Sequence, residues 1–108
     1  MKQKTIRMQT RRLQITSGKW HEVSAGNSAR KYLRVAIGAG NVLPTNPGVV
    51  QVAFDTPGED YLLVWALRPF EPHVAPGNKV LLRAQKNAPG DPDVTVMIEV
   101  TEGLEVEL

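Results

Sequence analysis

Few side chains able to do chemistry stand in this 108-residue chain, and they are scattered. His21 and His73 are its two histidines, and neither has beside it the nucleophile and orienting group that acyl-transfer chemistry needs. Both read as surface imidazoles. Asp91-Pro92-Asp93 places two carboxylates in one turn. A calcium site takes about six to eight oxygen ligands, and aspartates in such turns ordinarily bond their own backbone. Glu59-Asp60 reads in the same way, as a solvated pair. The run Gly38-Ala39-Gly40-Asn41 has the glycines of a phosphate-cradling loop but lacks the following Gly-Lys-Ser/Thr and the helical pattern. With no cysteine, disulfides and thiolate metal sites are excluded. The expectation is a protein that is not an enzyme, with no cofactor and no metal.

The informative chemistry is in the charges. Residues 1–34 carry nine basic side chains against Glu22 alone, leaving +8, and the remainder of the chain is therefore −6. Lys4, Arg7, Arg11 and Arg12 alternate with Ile6, Met8, Leu13 and Ile15, while the C-terminal stretch holds Glu99, Glu102, Glu105 and Glu107 with no basic residue. Three readings of the basic segment stay open. It binds nucleic acid through phosphates, although only Trp20 and Tyr32 stand near for stacking. It is the solvated face of a sheet. Or it is an arm that adds a strand to a sheet edge, its cations matched by an acidic partner such as the Glu105 and Glu107 tail, from the same chain or another copy. Trp20, Tyr61 and Trp65 are the aromatic candidates for partner contact if they are not core.

These side chains must be positioned by strands. In residues 29–37, Leu33, Val35 and Ile37 alternate with Tyr32, Arg34 and Ala36, the period of a half-buried strand. The same alternation recurs at Val50, Val52 and Phe54, at Val80, Leu82 and Ala84, at Val94, Val96, Ile98 and Val100, and at Leu104, Val106 and Leu108. Residues 61–67 are apolar on both faces, as in a strand covered on both sides or one meeting another subunit. Pro44, Pro47, Pro57, Pro69, Pro72, Pro76, Pro89 and Pro92 punctuate the connections. Eight or nine short strands in a single domain predict an all-β fold, an antiparallel β-sandwich or jelly-roll-like barrel. Residues 1–18 are expected as a basic N-terminal arm or edge strand, and residues 19–108 as the sandwich. No apolar run nears the ~20 residues of a membrane span, and no signal-peptide pattern is present, so a chain made in the cytoplasm is expected.

The order of these features resembles small β-sandwich virion proteins of tailed bacteriophages, which coat or join parts of the particle. Ala29-Arg30-Lys31-Tyr32-Leu33, the strand at 50–54, Ala75-Pro76-Gly77 and the strand at 94–100 carry the resemblance, which covers about residues 29–102. It implies a capsid decoration or cement protein on the outer capsid surface: a homo-oligomer that binds the major capsid protein or another virion protein, with neither membrane nor nucleic acid as partner. The alternative is a carbohydrate- or receptor-binding β-sandwich module of a phage tail or fibre, using Trp20, Tyr61 or Trp65.

Overall fold

The computed structural model describes residues 3–37, 49–56, 61–65, 68–72, 76–86 and 88–108. Those residues form two antiparallel sheets and no helix. The strands are β1 (Lys4–Thr16), β2 (His21–Ser24), β3 (Arg30–Ile37), β4 (Val49–Phe54), β5 (Leu62–Trp65), β6 (Val80–Ala84) and β7 (Thr95–Glu107). One sheet has the order β1-β7-β3 and the other β2-β6-β4-β5. The expected β-sandwich is the architecture found.

The alternation seen in the sequence decides which face each strand buries. Ile15 of β1, Leu33, Val35 and Ile37 of β3, and Val96, Ile98 and Val100 of β7 face inward from the first sheet. Val50, Val52, Val64, Val80 and Leu82 meet them from the second, and all are essentially inaccessible to water. At roughly 1.5–3 kcal/mol for each fully buried Val, Leu or Ile, this single core dominates the favourable side of folding. On the other face of the second sheet Val49, Gln51 and Ala53 are buried as well. On β5 Val64 is in the core while Leu62 and Leu63 are exposed, so of the two alternatives for this strand, cover on both sides within the chain is not what is found.

Two differences from the sequence reading concern length. The segments expected as separate strands at 3–9 and 13–15 are one 13-residue strand, and those at 94–101 and 104–108 are another. They pair in unbroken register from Lys4↔Glu107 to Thr16↔Thr95. A ladder of that length spans about 44 Å at ~3.4 Å per residue, and it outruns the core. Residues 3–10 are exposed, and the molecule reaches 57 Å in its longest dimension. Its radius of gyration of 14.8 Å exceeds the ~13 Å of a compact chain of this size for the same reason. The basic N-terminal segment is thus a strand hydrogen-bonded to β7 of its own chain.

Two loops are pinned together beneath the core. Asn27 N–H donates to Gly77 O at 2.8 Å, and a Cβ on Gly77 would stand 3.0 Å from Asn27 O. Only glycine allows the Pro76-Gly77 turn to approach that backbone so closely. Asp55 closes β4 in the left-handed region at φ 63°, with Thr56 N–H bonded back to Phe54 O, a γ-turn around one residue.

Candidate functional site

The β1–β7 ribbon is built by charge complementarity within the chain. Lys4 Nζ lies 3.3 Å from Glu105, Arg12 Nε 3.5 Å from Glu99, and Arg11 Nη2 3.0 Å from Glu102. Arg11 also donates to Val23 O, and Glu107 lies opposite Lys4 in the register. Arg7 lies opposite Leu104 with no carboxylate partner among the described residues. Three of the four β1 cations are thus paired with carboxylates of β7, and the formal charges of the two strands, four basic and four acidic, balance.

What the ribbon leaves unsatisfied is backbone. Leu108 N–H bonds to Gln3 O, and Ser17 N–H bonds to Val94 O. With the register fixed, these bonds place the odd residues of β1 in hydrogen-bonded pairs with β7. The N–H and C=O groups of Lys4, Ile6, Met8, Thr10, Arg12 and Gln14 consequently point away from the sheet. No described strand pairs with that edge. Beside it Ile6 and Met8 are 42% and 53% exposed, folded over Gly103, where a Cβ would stand 2.8 Å from Ile6 and 2.7 Å from Met8. A long, regular and unpaired edge flanked by apolar side chains is a template for strand addition.

A buried ion cluster holds the root of this ribbon to the second sheet. Arg30, whose side chain is fully inaccessible, spends all five N–H groups. Nε donates to Glu102 Oε2 at 2.9 Å, Nη1 to Pro76 O and Asn78 O at 2.6 and 2.7 Å, and Nη2 to Ser24 Oγ and Ala25 O at 2.5 and 2.9 Å. Ser24 Oγ donates onward to Glu102 Oε2 at 2.7 Å. In the sequence Arg30 counts among the N-terminal cations, and nothing in its neighbours announces burial. A register shift between Arg30 and Tyr32 turns its side chain inward.

The second surface lies on the outer face of the other sheet. Trp20 and Tyr61 have ring centroids 6.3 Å apart, and the Arg83 guanidinium sits 4.6 Å over the Trp20 ring. Arg83, Gln51 and Gln85 line the adjoining cleft of about 440 Å³ together with Tyr61, Ser17 and Lys86. Sequence reasoning named Trp20 and Tyr61 and missed the three polar residues, which alone look like ordinary outward positions of strands. The β4–β6 register, Gln51↔Arg83, brings them together. Trp65 pairs through its backbone with Val49, and its side chain lies outside the described residues.

The other flagged groups are structural or undescribed. His21 Nε2 accepts Thr16 N–H at 2.9 Å, so the ring is neutral with its proton on Nδ1; partial burial and then Lys19 lower its pKa. Asp91 accepts Ala88 N–H at 3.0 Å, as turn aspartates do, whereas Asp93 accepts Ser17 Oγ–H at 3.0 Å from a segment distant in sequence. Tyr32 donates to Glu71 at 3.1 Å, and its pKa is raised by ring burial and then by that carboxylate. Among the described residues no group of three or more His, Asp or Glu could hold a metal ion. His73, Glu59-Asp60 and the 38–41 loop lie outside the described residues. Compared with known proteins, the chain matches no family model, no curated protein and no solved structure.

Proposed function

We propose that this chain is a non-enzymatic virion structural protein of a tailed phage, a capsid decoration protein that attaches by strand addition. The unpaired edge of β1 carries the reading. It offers six consecutive outward N–H and C=O pairs from Lys4 to Gln14 on a ribbon that projects past the core. The resemblance of the residue order at 29–102 to phage sandwich proteins points the same way. Each copy would donate its edge to a sheet on the major capsid protein or a neighbouring copy, and repetition over the lattice would turn modest contacts into stable attachment. Because β7 pairs with Lys4, Arg11 and Arg12, main-chain bonds and the Ile6–Met8 pair supply most of the affinity, and attachment depends only weakly on salt.

The test is mass spectrometry of purified phage particles from the source cells, with the native chain and with Thr10→Pro. Thr10 is an even residue, so its proline blocks the outer edge without removing a main-chain bond to β7, giving up only the exposed contact between the Thr10 and Thr101 hydroxyls at 3.0 Å. Native chain in the head fraction, resistant to a salt wash and lost with Thr10→Pro, is the expected result. Absence of the native chain from particles overturns the assignment.

A further inference from the structure

We infer that the cleft beside Trp20 and Tyr61 is a binding site for a carboxylated saccharide, separate from the β1 edge and independent of its role. The argument starts from hydrogen-bond polarity. A guanidinium only donates, so the Arg83 Nε contact at 2.8 Å requires Gln51 to present Oε1. The amide nitrogen of Gln51 must then face Gln85, and its 3.2 Å contact ends on Gln85 Oε1. Gln85 is left presenting its NH₂ group. The chain of amides is polarised from one end by the arginine, so that each amide oxygen accepts from its neighbour and the NH₂ group of Gln85 is left open.

The rest of the lining agrees. Ser17 Oγ is spent, donating to Asp93 and accepting Val94 N–H at 2.9 Å. The two Nη groups of Arg83 meet no acceptor among the described residues, while Lys86 is engaged, 3.5 Å from Asp93 Oδ1 and donating to Asp91 O at 3.2 Å. The open donors of Arg83 and Gln85, with the Arg83 charge unpaired among the described residues, select a ligand that offers acceptor oxygens and negative charge, above all a carboxylate. Tyr61, 39% exposed and tilted 55° against Trp20, supplies an apolar ring at the rim, the complement of a pyranose face. A volume of about 440 Å³ lies within the usual range of small-ligand clefts. Arg83 is preorganised by Gln51 below and Trp20 beside it, so little ordering is needed on binding.

The experiment is calorimetric titration of the full chain with tri-galacturonic acid, with tri-galactose and tri-glutamate as comparators. The acidic sugar should bind at least about tenfold more tightly than either, the effect of one charge-assisted contact. Arg83→Met should lose about tenfold or more, and Tyr61→Ala, on an exposed ring, several-fold. If Arg83→Met does not fold, Tyr61→Ala decides. Equal binding of the two sugars, tighter binding of tri-glutamate, or no binding of tri-galacturonic acid at millimolar concentration overturns the inference. Thr10→Pro should leave this titration unchanged, which separates it from the edge-attachment reading.

Discussion

Replacing Glu102 by Ala tests the ion cluster that joins the two sheets. The substitution removes the acceptor of Arg30 Nε, of Ser24 Oγ and of Arg11 Nη2 together. Arg30 stays in place with its charge inaccessible to water and its other four bonds made only to neutral oxygens. Breaking a buried pair from one side costs about 3–5 kcal/mol. Glu102 itself is 14% exposed, so water reaches part of the vacated position and the lower end, about 3 kcal/mol, applies. At m-values of about 1–3 kcal/mol/M the urea midpoint falls by roughly 1–3 M. That is a large fraction of the 5–15 kcal/mol typical of a domain. Arg11→Met is the control, because its side chain is 42% exposed and such a pair contributes about 0–1 kcal/mol. In a double-mutant cycle, Arg30→Met with Glu102→Leu should lose about 2 kcal/mol less than the two single losses added, since neither charge is then stranded. Urea unfolding followed by tryptophan fluorescence reads all of these. A Glu102→Ala loss under about 1 kcal/mol, or strict additivity, refutes the reasoning.

Other consequences follow from particular contacts. Thr10→Pro should cost under about 1 kcal/mol of stability, whereas Arg11→Pro, whose N–H belongs to the β7 ladder, should cost about 1–3 kcal/mol more by leaving Val100 O unpaired; thermal unfolding compares them. Gly77→Ala should destabilise by about 1–3 kcal/mol because its Cβ meets rigid backbone at Asn27 and Ser28, while Gly90→Ala, with open space around it, stays within about 0.5 kcal/mol. His21 should titrate below 6.5 by NMR, with the Thr16 amide shifting in step. Its folded pKa lies below the unfolded one, so this contribution to stability is complete above 6.5 and is lost as pH falls through that value toward the folded pKa. Asp55, held low by Asn78 and by the Lys79 N–H, contributes above its unfolded pKa and loses that contribution as pH falls through the folded one; Asp55→Ala should flatten the acid limb of the stability curve.

Truncation of residues 1–16 is a poor probe of the edge. Ile15 is fully buried, so the cut opens the core and confuses unfolding with lost assembly. A proline at an outward amide separates the two.

Much of the fold was written along the chain. Period-two alternation names Leu33, Val35, Ile37, Val50, Val52, Val80, Leu82, Val96, Ile98 and Val100 as inward, because successive strand side chains take opposite faces whatever the neighbouring strands are. The complementary charges of the two ends are equally legible, and they meet as Lys4 with Glu105 and Arg12 with Glu99. Trp20 and Tyr61 stand out as large amphipathic rings. What one-dimensional pattern does not carry is pairing between strands distant in sequence. Only the register of β4 with β6 sets Gln51 beside Arg83, and only the shift at Arg30 buries a guanidinium that composition counts as surface charge. The unpaired edge of β1 is also a tertiary result, since every strand has two edges until the sheet order leaves one of them open. Side-chain direction is local and repeats every two residues; partnership is non-local, and it is partnership that builds both the cleft and the edge.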